Sequence, residues 1–106
     1  MLLTVGGRYD RLALKMERSA DHAVLSSKGN YTSFTYGDEI IRFMTSHRLE
    51  RYVKVNKWDH GYLEVIARYN GREEEEYIDL IPILKNLYID PDAFLKPIKN
   101  VEVSYA

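Results

Sequence analysis

Hydrophobic and polar positions along this chain change period several times, and each change predicts an element boundary. Tyr9, Leu12, Ala13, Met16, Ala20 and Ala23 recur at helical spacing, although Leu12, Leu14 and Met16 also alternate as a strand would. Asp10 near the start and the good helix formers after it favour a helix over residues 9–23. Residues 22–27 and 31–36 flank Lys28-Gly29-Asn30, whose residue types tolerate a turn, so a β-hairpin is expected there. Thr35, two residues before Gly37, opens the clearest helix; Asp38 and Glu39 suit its first turn, and Ile40, Ile41, Phe43 and Met44 give it an apolar stripe. That helix is expected to run to about His47 or Leu49. Tyr52, Val53 and Val55 then predict a short strand that breaks at Asn56.

The second half is plainer. Residues 62–69 alternate, Asn70-Gly71 supplies two residues that accept positive φ, and residues 75–80 return, which together predict a hairpin. A short helix follows from Ile81 to about Tyr88, with Pro82 in its first turn, where the missing N–H is no loss. Asp90-Pro91 predicts a capped single turn through Leu95, and residues 101–105 alternate as a last strand. These elements add up to one α+β domain over residues 1–106: a small, mostly antiparallel sheet with two or three short helices on one face.

Composition narrows the chemistry. A chain of 106 residues with 45% hydrophobic and 29% charged residues has the size and balance of one globular domain. With no cysteine, disulfides, thiolate metal sites and a cysteine nucleophile are all excluded. The apolar run at residues 1–5 is too short for a secretory h-region, and no stretch of about 18 or more apolar residues exists to span a bilayer, so the expected setting is cytoplasmic with no membrane partner. Phosphate-cradling and dinucleotide glycine motifs are absent, as is the nucleophile-elbow serine. His22, His47 and His60 have no metal-ligand spacing; Asp59-His60 is a neighbour pair expected to serve only a loop. The expectation is a protein that is not an enzyme, with no cofactor, no metal and no catalytic residue. An unrecognised hydrolase or metal-dependent enzyme, whose acid–base carboxylates meet only in space, is the remote alternative.

Charge adds a second pattern. Residues 1–57 hold ten lysines and arginines against six acidic residues, whereas residues 58–106 hold five against ten. The positive excess gathers with aromatic residues at Arg42, His47, Arg48, Arg51, Tyr52, Lys54, Lys57 and Trp58, a candidate binding surface. Cations that displace counterions and rings that stack on bases are what a nucleic-acid surface needs. Against that stands an isoelectric point near 6.3. The bland alternative places the cations at a helix C-terminus and both rings in the core. The negative excess gathers at Glu73, Glu74, Glu75 and Glu76, a candidate acidic surface that also guards a strand edge. Nine tyrosines, each with an apolar body and a polar tip, fit a half-buried sheet or a protein interface.

Residues 62–103, with their strand, turn, charged returning strand, Ile78-Asp79-Leu80-Ile81-Pro82-Ile83-Leu84, Asp92-Ala93-Phe94-Leu95 and final strand, resemble a group of small uncharacterised bacterial domains. That resemblance implies a small α+β protein of unknown function, often encoded on mobile elements or beside toxin–antitoxin-like partners, and assigns no functional residue. The first sixty residues carry no resemblance. The leading expectation is a non-catalytic module acting through a protein partner or as a homodimer. Nucleic-acid binding through residues 42–58 is the alternative.

Overall fold

The computed structural model describes residues 21–104, and these fold into six strands, two short helices and the turns between them. Strand β1 spans His22–Tyr36, β2 Glu39–Leu49, β3 Arg51–Asp59, β4 Tyr62–Tyr69 and β5 Arg72–Asp79. Helix α1 (Leu80–Asn86) and helix α2 (Pro91–Leu95) follow, and β6 (Asn100–Val103) ends the fold. Strands take up 65% of the described residues and helices 14%, so the expected α+β architecture is replaced by a mostly β one.

There are two three-stranded sheets, sheet A in the order β2-β1-β6 and sheet B in the order β3-β4-β5. All pairings are antiparallel except β1 with β6, which run parallel. The inner faces meet in one core that includes Leu25, Phe34, Leu63, Val65, Leu80, Leu84 and Leu95. Each such fully buried side chain contributes about 1.5–3 kcal/mol. Leu63, Val65, Ala67 and Tyr69 are buried at every second position of β4, the period that a half-buried strand requires.

The helix expected to open at Thr35 and run to about His47 or Leu49 is the end of β1, a turn and strand β2. Ile40, Ile41, Phe43 and Met44 satisfy a helical stripe on paper, but pairing with β1 from Glu39 to Met44 splits them between two faces. Ile41 is buried and Phe43 half-buried, whereas Ile40 and Met44 face water. Gly37 and Asp38 are the β1–β2 turn, with Gly37 at φ +59°. Lys28-Gly29-Asn30 does not turn the chain either. It is an irregularity inside one long strand, with Gly29 at φ +66° and a register shift between Gly29 and Tyr31. Ala23 and Leu25 point inward before it, and Thr32 and Phe34 after it, so the irregularity exchanges the faces. Asn56 similarly does not end β3; it lies at a register shift between Val55 and Lys57. The helix expected over 9–23 lies outside the described residues except at its end, where His22 and Ala23 belong to β1.

The hairpin and helix-cap expectations of the second half hold. Asn70 and Gly71 take φ +46° and +78° and join β4 to β5. His60 and Gly61, at +45° and +93°, make the corresponding turn between β3 and β4. Asp79 caps α1 by accepting from the Ile81 N–H at 3.1 Å, and Asp90 caps α2 by accepting from the Asp92 N–H at 3.1 Å. Sheet A passes to sheet B at Glu50, whose N–H donates to the Arg68 carbonyl at 2.8 Å and whose carboxylate accepts from the Gly71 N–H at 2.7 Å.

Candidate functional site

Register decides where the basic–aromatic segment points. On β3, Tyr52 pairs with Ala67 and Trp58 with Leu63, both inward; Lys54 pairs with Ile66 and Lys57 with Glu64, on the outward side. Tyr52 is 2% exposed, and its hydroxyl is hydrogen-bonded to the buried Thr32 hydroxyl at 2.6 Å. Trp58 stacks on Phe34 with centroids 5.7 Å apart and donates its indole N–H to the Ile98 carbonyl at 3.1 Å. Both rings therefore belong to the core. A strand sends neighbouring residues to opposite faces, so interleaved cations and rings part company here. Arg42 lies on the outer face of sheet A, opposite Ser33. The His47 ring meets Tyr69 edge-on at 6.0 Å, and Arg48 passes over Gly29.

The acidic run splits by the same rule. Glu73 and Glu75 oppose Arg68 and Ile66 on the outer face of sheet B, whereas Glu74 and Glu76 oppose Ala67 and Val65 on the inner side. The outer face thus reads, row by row, Lys57-Glu64-Tyr77, Lys54-Ile66-Glu75 and Arg51-Arg68-Glu73. Cations line one edge and carboxylates the other, two strand spacings or about 10 Å apart. Ion pairs knit the middle: Lys57 with Glu64 at 3.8 Å, and Arg68 with both Glu50 at 3.5 Å and Glu73 at 3.4 Å. These charges offset one another on this face, which is therefore of mixed sign.

The outer face of sheet A is different in kind. Its cross-strand rungs are Tyr31 with Met44, Ser33 with Arg42 and Thr35 with Ile40. Tyr31 is 56% exposed, Ile40 51% and Met44 66%. Large apolar side chains stand at both ends, about 13 Å apart along β2. Arg42 lies between them, across from the small Ser33.

Two of the clefts bear on the chemistry. One, of about 320 Å³, lies where α2 meets the β3–β4 turn and is lined by Trp58, Leu95, Ile98 and Lys96. At its rim His60 Nε2 lies 3.0 Å from Asp92 Oδ1, so His60 finds its carboxylate across the fold rather than in adjacent Asp59. No hydroxyl or thiol nucleophile joins that pair in the cleft lining. The other, of about 230 Å³, opens between the edge strands β2 and β5. Phe43, Met44, Ile78 and Ile83 form its apolar walls, and Tyr52, Tyr69 and Glu76 its polar side. Burial, with the Glu76 charge next, pushes the Tyr69 hydroxyl up to about 12. Burial also raises Tyr52, and the Glu75 charge raises exposed Tyr77.

Among the described residues no group of three or more His, Asp or Glu side chains is placed to hold a metal ion. No described helix is long and apolar enough to cross a membrane. Sequence reasoning missed the Tyr31-Ile40-Arg42-Met44 face because it placed Ile40 and Met44 on the core stripe of a helix. Ile40-Ile41 and Met44 break a strict alternation, so the β-branched Ile40, Ile41 and Thr45 were the one local signal for a strand.

The fold and its surfaces define a small two-sheet β domain whose outer faces differ in kind, one apolar around Arg42 and one charged. The chain belongs to the family described as Domain of unknown function (DUF7724), which matches residues 21–106. The family region thus reaches well into the first sixty residues, beyond the resemblance over 62–103, and nothing in it speaks for mobile elements or toxin–antitoxin-like partners. No curated protein and no solved structure matches the chain.

Proposed function

We propose that this domain is a non-catalytic protein-binding module that engages a partner polypeptide through the outer face of sheet A. The observation that carries this reading is the exposure of Tyr31, Ile40 and Met44 around Arg42 on consecutive rungs of one sheet. Tyrosine, methionine and arginine are the residue types enriched at interfaces, where lysine and acidic residues are depleted. Three large apolar side chains held half in water gain free energy when covered. Arg42 at the centre of the patch favours a partner with an acidic group opposite over a face-to-face copy of the same chain, which would set like charges together.

A photo-crosslinking residue in place of Met44, with a second variant at Ile66 on the outer face of sheet B as control, tests the reading in cells. A discrete polypeptide adduct at position 44 and none at position 66 is expected. Equal labelling at both positions, or none at 44, would overturn it. The outward cations Arg51, Lys54 and Lys57 carry the second reading, nucleic-acid binding. It is supported less, because Tyr52 and Trp58 face the core and Glu64, Glu73 and Glu75 share the cationic face. A salt titration against single-stranded and duplex nucleic acid decides it, since phosphate contact weakens steeply with salt.

A further inference from the structure

The cleft between β2 and β5 contains a carboxylate in an unusual position. Glu76 sits on the inner face of the edge strand, opposite Val65, and is half-buried. The Tyr69 hydroxyl donates a hydrogen bond to the Glu76 carboxylate, Tyr52 lies close by, and among the described residues Glu76 enters no ion pair. The other carboxylate in the lining, Asp79, is already engaged as the cap of α1. Among the described residues no lysine, arginine or histidine lines the cleft, and His47 packs edge-on against Tyr69. A carboxylate withdrawn from water is costly unless a cation or several donors meet it. The single Tyr69 donor leaves acceptor capacity on this carboxylate for a cation brought by a partner.

The shape limits what can fill it. At about 230 Å³ the cleft is smaller than the ~300 Å³ at which pockets for whole small-molecule ligands begin, so a single side chain suits it better. Met44, Ile78 and Ile83 offer an apolar wall, and Tyr69 an aromatic one. An apolar wall leading to one carboxylate suits a flexible alkyl stem ending in a compact charge, which is lysine rather than the planar fork of arginine. Aromatic rings beside the charge add cation–π attraction.

We propose that the β2–β5 cleft is a receptor for a lysine side chain of the partner polypeptide, with the ammonium at Glu76 and the stem along Met44, Ile78 and Ile83. This rests on the protein-binding reading above, because Met44 is at once a wall of the cleft and part of the sheet A patch. The partner segment would then lie across the outer edge of β2 with its lysine turned into the opening.

The test uses the full chain, ¹⁵N-labelled, titrated with an acetyl-Gly-Lys-Gly-amide peptide and, in parallel, with the same peptide acetylated at the lysine Nζ. Saturable amide shifts confined to Ser46, Glu76, Tyr77 and Ile78 are expected with the charged peptide and not with the acetylated one. Glu76→Gln, which keeps the shape, should weaken binding at least about fivefold, as loss of a charge-assisted contact does. Three results would overturn the proposal: no saturable shift at those amides, equal shifts with both peptides, or unchanged binding in Glu76→Gln. Glu76 would then be only an inward-pointing charge that keeps the β5 edge from pairing with other chains. The crosslinking result at position 44 does not depend on the peptide titration, so the two readings can fail separately.

Discussion

Replacing Tyr88 by glycine should stabilise the domain, although it deletes an entire aromatic side chain. Tyr88 follows α1 with φ +59°, in the left-handed region. Its N–H donates to the Lys85 carbonyl at 3.0 Å and the Ile89 N–H to the Leu84 carbonyl at 2.9 Å. That pair of bonds is the Schellman arrangement, in which the residue at this position is usually glycine. A residue with a Cβ costs roughly 1–2 kcal/mol there. Glycine gives back about 0.4–1 kcal/mol through the greater freedom of the unfolded chain. The ring is 98% exposed, so its removal forfeits almost no burial. The difference leaves a net gain of about 0.5–1 kcal/mol, or a Tm rise of roughly 2–6 °C for a domain of this size. Thermal and urea unfolding of Tyr88→Gly beside Tyr88→Ala reads it directly. Alanine removes the ring but keeps the strain, so it should stay within about 0.5 kcal/mol of the parent. A glycine variant no more stable than the alanine variant would refute the reasoning.

Three further outcomes follow from the core and its turns. Tyr52→Phe leaves the fully buried Thr32 hydroxyl unpaired and should cost about 1–3 kcal/mol, whereas adding Thr32→Val should recover much of that loss in a double-mutant cycle read by urea unfolding. Tyr69, pushed up to about 12, keeps its proton in the folded state while the unfolded chain releases it near pH 10, so stability should fall as pH rises from 10 to 12. The loss from this group reaches about 2–3 kcal/mol, and Tyr69→Phe should flatten that part of the alkaline slope relative to the parent. Gly61→Ala combines φ +93° with a Cβ only 2.7 Å from Leu95 Cδ1, and should lower stability by about 2–3 kcal/mol in the same unfolding assay.

The parts of the fold that could be read from the chain are those fixed by local chemistry. Asn70-Gly71 specifies its turn through two positive φ values, and Asp79 and Asp90 specify helix starts through their own side-chain oxygens. Such signals need no tertiary partner. Residues 39–49 depend on one. Ile40, Ile41, Phe43 and Met44 fit a helical stripe as well as they fit a strand, and pairing with Tyr31–Tyr36 decides between them. Gly29 misleads for a related reason, since positive φ serves a bulge as readily as a turn.

The same ambiguity governed the candidate surfaces. Read as a helix and its continuation, residues 42–58 place cations and rings together. As strands, they send Arg51, Lys54 and Lys57 outward on sheet B, Tyr52 and Trp58 into the core, and Arg42 to the far side of the molecule. Glu73 to Glu76 divide two and two by the same alternation. The charges were legible in the sequence; their faces were not, because period two becomes visible only once the strand is recognised.

The claim that sheet A is the recognition face is tested most directly by two charge reversals made on opposite sides of the domain. With the polypeptide captured at position 44 in hand, its affinity is measured for Arg42→Glu and for Lys54→Glu, each a change of the same sign and size. Arg42 sits at the centre of the proposed interface and Lys54 on the other sheet. The account predicts that Arg42→Glu raises Kd at least about tenfold while Lys54→Glu changes it less than about twofold. A larger loss for Lys54→Glu than for Arg42→Glu would contradict it and move the interface to the charged face of sheet B.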